Sequence, residues 1–107
     1  MTLRRLNTIQ GHSLVRRAAG VTETESKDGM FLVDPRRGRL YGLDACGKAI
    51  WVGLANPIHV DELCVRLNAE FFVDAATIQR DVIELLNGLL RNGLIRVSPG
   101  SFTSEGQ

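Results

Sequence analysis

The spacing of hydrophobic residues changes once along this chain, near residue 44, and that change constrains the fold more than any other feature. Upstream of it, residues 21–26 alternate β-branched and polar residues, and residues 30–33 form a short apolar run, as β-strands do. Residues 39–43 also alternate, with Leu40 on one face and Arg39, Tyr41 and Leu43 on the other. Turn formers at residues 27–29 and 34–38 separate the three segments. The upstream part therefore predicts a three-stranded antiparallel sheet.

Downstream, the spacing of apolar residues becomes helical, and three helices are predicted. Asp44 is placed to cap the first helix, over residues 45–54. The second helix has apolar residues at i, i+3, i+4 and i+7 counted from Val60. The third and longest helix begins after Asp74, and the left-handed stop signal Asn92-Gly93 ends it.

This order predicts an α+β fold of the winged helix-turn-helix type: a three-stranded antiparallel sheet followed by three helices, with residues 94–97 as a possible closing strand. We assign residues 20–97 to the folded domain. Residues 1–19 show no clean period and predict a flexible N-terminal arm. Residues 98–107 are rich in turn formers and predict a disordered tail.

The composition of the 107-residue chain fits one globular domain, with 44% hydrophobic and 23% charged residues. A formal net charge of +1 argues against a protein held to nucleic acid or to a membrane by bulk charge. Cys46 and Cys64 are too few for a disulfide scaffold, and no signal peptide or membrane span is evident. We expect a soluble, cytoplasmic protein with reduced cysteines, either a monomer or a weak homodimer.

Signals for catalysis and for cofactors are weak. Residues 42–48 match the start of a phosphate-binding loop, but Ala49 stands where Ser or Thr should reach magnesium, so packing explains the pattern. His12, His59 and the cysteines lack metal-ligand spacing. Cys46 lies near a helix N-terminus, which lowers a thiol pKa, but no partner base is evident. We expect no enzyme activity, no metal and no cofactor.

DNA binding is the main rival hypothesis, because the helical half resembles a helix-turn-helix. A recognition helix needs basic and amide side chains directed at bases and phosphates. The second and third helices instead mix Arg66, Arg80 and Arg91 with a larger number of carboxylates. The alternative is therefore a winged-helix DNA-binding regulator, and a purely structural subunit of an enzyme is a third possibility.

The strand at residues 39–43 is the outer strand of the predicted sheet and leads directly into the helices. Its free backbone groups could accept an extended peptide as an added strand, beside the third helix. The alternative is that the N-terminal arm covers this edge. The candidate peptide-binding residues lie on the strand and on the helix: Arg39, Leu40, Tyr41, Gly42, Leu43, Ile78, Arg80, Asp81, Glu84, Leu85 and Gly88.

Residues 29–51 (Gly-Met-Phe-Leu-Val-Asp-Pro-Arg-Arg-Gly-Arg-Leu-Tyr-Gly-Leu-Asp-Ala-Cys-Gly-Lys-Ala-Ile-Trp) resemble the pyrroloquinoline quinone biosynthesis protein D family. The family pattern has a D-P-x-x-G-type turn, an aromatic-x-Leu-Asn strand end, and then Gly-x-x-Ile-Trp. The resemblance extends over roughly residues 20–97. Asp44 replaces the usual Asn, and either residue caps a helix.

This resemblance implies a non-catalytic domain that binds the leader of a ribosomally made, later modified precursor peptide. It implies strand addition between the third strand and the third helix, followed by presentation to a modifying enzyme. Such partners include radical S-adenosylmethionine enzymes and the leader peptidases of lasso-peptide pathways. The resemblance leaves the precursor, the pathway and the partner enzyme open.

Overall fold

The computed structural model of the protein describes residues 9–71 and 74–98. It is an α+β fold with two antiparallel sheets and three helices. In chain order, its elements are β1 (Leu14–Arg17), β2 (Thr22–Ser26), β3 (Gly29–Asp34), β4 (Arg39–Asp44), α1 (Ala45–Gly53), β5 (Ile58–His59), α2 (Val60–Phe71), α3 (Ala75–Arg91) and β6 (Ile95–Ser98).

The predicted three-stranded sheet is confirmed as the order β2-β3-β4, which we call the meander sheet. Its second hairpin pairs Asp34 with Arg39 across the predicted turn. The Asp34 carboxylate accepts the Arg36 backbone N–H at 3.2 Å, and the Asp34 carbonyl accepts that of Arg37 at 3.3 Å. Gly38 has a φ of 65°, which residues with a β-carbon rarely adopt. The turn residues therefore set the register of β4.

A second sheet, which the sequence reading did not predict, has the order β5-β1-β6, and we call it the terminal sheet. Residues 14–17, expected in a flexible arm, form its central strand, and the Val15 side chain is fully buried. Ile9 and Ala18 are buried as well. Residues 14–17 are too few, and include too few hydrophobic residues, to show the alternation of a strand. Their pairing with β6 is therefore evident only in the tertiary structure. Residues 1–8 and 99–107, from the predicted arm and tail, lie outside the described residues.

The helix boundaries follow the predicted caps. The Asp44 carboxylate accepts the backbone N–H of Gly47 at 2.8 Å at the start of α1. Asp74 accepts that of Thr77 at 3.2 Å at the start of α3. Asn92 ends α3, and Gly93 follows with a φ of 72°. Capping side chains satisfy N–H groups that lack partners inside a helix, so these ends are determined locally.

Trp51 joins the two sheets through the core. Its side chain is fully buried, as are those of Leu32 and Leu86. The Trp51 indole N–H donates to the Glu23 carboxylate at 3.1 Å, and the Arg17 guanidinium lies 4.5 Å from the Trp51 ring centroid. Arg17 also donates to Glu23 at 2.9 Å. These contacts connect β1 to β2 and hold the N-terminal strand against the rest of the domain.

Candidate functional site

The outer edge of β4 is a free strand edge. Within residues 9–71 and 74–98, β3 is the only strand that pairs with β4. The N-terminal segment was the predicted alternative cover for this edge. Its described part pairs instead with β5 and β6 in the terminal sheet.

The backbone groups that face this edge follow from the ladder. A β-carbon on Gly29 of β3 would collide with the carbonyl oxygen of Leu43, so Leu43 directs its backbone groups toward β3. Successive residues of an antiparallel strand direct these groups to alternate sides. Leu40 and Gly42 therefore present their N–H and C=O groups to the open side of β4, where an added strand would need them.

Helix α3 runs beside β4 and forms the second wall of a groove. Three contacts place the walls. Asp44 and Asp81 line the same recess at one end. In the middle, the Tyr41 hydroxyl lies 3.0 Å from where a β-carbon on Gly88 would be. At the other end, Arg39 donates to the Asn92 side chain at 3.0 Å.

The groove consists of two adjoining recesses of about 410 Å³ and 470 Å³. They share Tyr41, Asp44, Gly47 and Leu85. Volumes of this size are within the range of ligand sites, which combine apolar walls with a few polar groups. Leu85 and the Tyr41 ring supply apolar surface beside the free backbone groups of β4. The groove is therefore suited to an extended chain with both backbone and side-chain contacts.

Eight of the eleven predicted site residues line these recesses: Leu40, Tyr41, Gly42, Leu43, Asp81, Glu84, Leu85 and Gly88. Arg39 lies at the end of the groove, bonded to Asn92. Ile78 does not line them. It packs in the core with Val82 and Leu86 and lines a separate small recess beside Phe71. Arg80 is exposed and lies 3.9 Å from Asp81.

Five lining residues were absent from the predicted site: Asp44, Cys46, Gly47, Ile50 and Arg91. Four of them belong to the cap and the first turns of α1, which close one end of the groove. Ile50 was assigned to the core, and it is indeed only 2% exposed. Arg91 could have been found from its spacing, because it lies one turn after Gly88 on the same face of α3.

The thiol of Cys46 differs from the sequence-based expectation. Its place near the start of α1 suggested a lowered pKa. Partial burial raises the pKa of Cys46, and the nearby carboxylates of Asp44 and Asp81 raise it further. Burial and a negative charge both disfavour the thiolate. Cys46 is therefore a neutral thiol near pH 7, which argues against a nucleophilic role.

A larger recess, of about 550 Å³, lies elsewhere, between the β3–β4 turn and β6. Arg36, Arg37 and Arg96 line it together with Asp34. Arg36 and Arg37 donate to the backbone carbonyls of Ala19 and Asn92 at 3.0 Å and 3.3 Å. These side chains brace the turn. Leu40 and Gly42, which present their backbone groups outward, do not line this recess. We therefore take the groove along β4 as the candidate site.

The described residues contain no group of three or more His, Cys, Asp or Glu side chains placed to hold a metal ion. Within the same part of the chain, every helix is too short or too polar to cross a bilayer.

The family model described as coenzyme PQQ synthesis protein D (PqqD) matches residues 29–95, which include β4, α3 and the groove between them. The chain belongs to this family. A search of curated proteins finds no match.

TbiB1, in complex with the TbiA(beta) leader peptide, is 28% identical, with a TM-score of 0.69 over 76% of this chain and 94% of that one. The PqqD truncation of Methylobacterium extorquens PqqCD, a stand-alone RiPP recognition element, is 22% identical, with a TM-score of 0.72 over 84% and 97%. Lasso peptide synthetase B1 complexed with its leader peptide is 23% identical, with a TM-score of 0.63 over 77% and 96%. The last two show that the PqqD-family chain shares their fold.

Proposed function

We propose that this protein is a non-catalytic peptide chaperone that binds the leader of a ribosomally made precursor peptide. The observation that carries this proposal is the free outer edge of β4, which opens into the groove beside α3. Family membership supports it, as does the structure of TbiB1 with a bound leader, which is 28% identical and almost fully covered by this chain.

The binding mode that fits this groove is strand addition. A peptide in the groove would pair its backbone with the outward groups of Leu40 and Gly42, which gives affinity with little sequence demand. Alternate side chains would contact Tyr41 and Leu85 on one side, which sets the register. A free leader is disordered, so the peptide loses conformational entropy when it binds. The groove is already formed, so the protein itself needs little further ordering.

We further infer that the bound leader is delivered to a modifying enzyme, either a radical S-adenosylmethionine enzyme or a leader peptidase. Holding a substrate near an active site raises its effective concentration there. We also infer a winged helix-turn-helix arrangement, in which α2 packs on α3 and β6 follows as part of the wing. The unpaired Cys46 and Cys64 thiols support a reducing, cytoplasmic location.

The test is an amide NMR titration of the isotope-labelled protein with the leader peptide encoded beside its gene. We expect saturable shifts on residues 39–43 and on the groove-facing side chains and amides of α3. Shifts confined to the arginine-lined recess, or no shifts with any such leader, would contradict the proposed site.

A parallel titration with duplex DNA, at low and at high salt, tests the rival function. A DNA-binding regulator would bind duplex DNA with an affinity that falls steeply with salt concentration. We expect no such binding, because the exposed side chains of α2 and α3 are of mixed charge. Tight, salt-dependent duplex binding together with no leader affinity would favour the regulator.

A further inference from the structure

The two ends of the groove carry opposite charges. Toward the end beside α1, three carboxylates line one recess: Asp44, Asp81 and Glu84, which we call the acidic end. The opposing cation nearby is Arg80, 3.9 Å from Asp81. Three carboxylates against the Arg80 guanidinium give a formal net charge of −2 at this end, and Arg91 lies farther along the same recess. The raised pKa of Cys46 has Asp44 and Asp81 among its causes, which places both charges near the groove floor.

The other end is basic. Arg91 lies in the last turn of α3 and lines the same recess as the three carboxylates. Its guanidinium reaches back toward the middle of the groove, 4.0 Å from where a β-carbon on Gly88 would be. Arg39 donates to the Asn92 side chain, at the end of α3. We call Arg39 and Arg91 the basic end.

Local structure accounts for only part of this pattern. Asp44 caps α1, and Arg91 lies in the last turn of α3, where the helix dipole favours a cation. Asp81 and Glu84 lie in the interior of α3, where the dipole gives them nothing. The Asp44 cap needs only an acceptor oxygen, which Asn supplies equally well. The charge of the acidic end is therefore available for a ligand.

We propose that the peptide bound in the groove carries a basic side chain over the acidic end and an acidic side chain over the basic end. This inference rests on the proposed strand addition and specifies the peptide that it selects. Six residues of β4, Arg39–Asp44, span about 17 Å at strand spacing, and residues 81–91 of α3 span about 15 Å. The two charges therefore lie about five residues apart in the peptide.

The charge order also reports the direction of the added strand. A strand antiparallel to β4 begins at the acidic end, so its basic residue precedes its acidic one. A parallel strand has the reverse order. Backbone pairing alone permits either direction at an exposed edge, so the charges provide the discrimination.

The experiment uses two synthetic peptides of identical composition. Each has a central alternating Val/Thr segment of about six residues, the length of β4. The first has two lysines before this segment and two glutamates after it, and the second has these charges exchanged. Amide NMR titrations up to millimolar peptide measure both affinities at low and at high salt.

We expect one charge order to bind about tenfold tighter at low salt, because each end exchanges an attraction for a repulsion. High salt should reduce the preference to less than about threefold. The triple variant Asp44→Asn/Asp81→Asn/Glu84→Gln should also reduce it and should retain the α1 cap. The control Asp28→Asn/Glu62→Gln/Glu70→Gln removes the same number of charges outside the groove and should leave the preference intact.

Equal affinities for the two peptides would overturn the inference and leave strand addition standing. A preference that survives in the triple variant would also overturn it, because the charge order would then be read elsewhere. If neither peptide shifts the amides of β4, both this inference and the proposed binding mode fail.

Discussion

Among the strands of residues 9–71 and 74–98, none pairs with either outer edge of the meander sheet, and the two edges carry different side chains. On β2, alternation places the backbone groups of Glu23 and Glu25 on the outer side. Their side chains are engaged: Glu23 bonds Arg17, and Glu25 bonds Lys48 at 2.7 Å. On β4, the outward residues are Leu40 and Gly42, and Leu40 is 65% exposed.

The comparison shows that an open edge is not by itself a binding site. Charged side chains are a common protection against unwanted strand pairing, and β2 carries them. The outward residues of β4, Leu40 and Gly42, carry no charge, Leu40 is exposed, and α3 forms a second wall beside this edge. Backbone groups, apolar surface and a groove coincide at one edge only. Changes at the β4 edge should therefore affect leader binding, and matched changes at the β2 edge should not.

Leu40→Pro should reduce leader affinity by roughly 30-fold or more, because it removes an outward donor and leaves a peptide acceptor unpaired. The ladder with β3 does not use this donor, and proline is tolerated at strand edges. Isothermal titration and the amide spectrum measure affinity and folding together. Glu25→Pro removes the equivalent donor at the β2 edge and should leave affinity unchanged. Comparable losses in the two variants would abolish the distinction between the edges.

Gly88→Ala should weaken leader binding by about fivefold while leaving stability equal or higher, since alanine favours a helix by up to about 1 kcal/mol. The new β-carbon lies 3.0 Å from the Tyr41 hydroxyl and should displace this flexible side chain into the groove. Adding Tyr41→Phe removes the hydroxyl and should restore the affinity. Urea unfolding and peptide titration of the single and double variants measure both effects. No rescue in the double variant would contradict this account of the groove wall.

Glu23→Ala should destabilise the fold by about 1–2 kcal/mol, because the buried Trp51 indole N–H loses its acceptor. It should not change leader affinity, since the β2 edge has a structural role here. Urea unfolding measures the first quantity and titration the second. A clear drop in leader affinity would show that the two edges are coupled.

Leader binding should slow alkylation of Cys46 a few-fold, because this thiol lines the groove. Cys64 lies outside the lining residues and serves as the internal control. Burial and nearby carboxylates raise the pKa of Cys46, so its alkylation rate should rise with pH later than that of a thiol in a short peptide. Mass spectrometry of the labelled protein reads both sites. Equal protection of both cysteines would point to a general stabilisation instead of occupancy of the groove.

Much of the candidate site was accessible from local pattern. The alternation at residues 39–43 predicted an edge strand, and the helical stripe predicted the position of α3. The same stripe produced the misplaced residue, since Ile78 is apolar and lies near the groove residues in sequence, but it faces the core. Arg80 was predicted as a site residue because of its charge. Its neighbour Asp81 lines the groove, and Arg80 does not. The spacing of apolar residues identified helix α3. It identified only some of the residues on the side of α3 that faces the groove.

The sequence by itself determined the elements that depend on neighbouring residues: the Asp34–Gly38 turn, the Asp44 and Asp74 caps, the Asn92-Gly93 stop and the change of hydrophobic period. Each is a short-range hydrogen bond or backbone preference, so it can be read from a few adjacent residues. The tertiary structure alone decided the terminal sheet, the open edge of β4 and the opposite charges at the ends of the groove. These depend on pairing and packing between residues far apart in the chain, which no local period records.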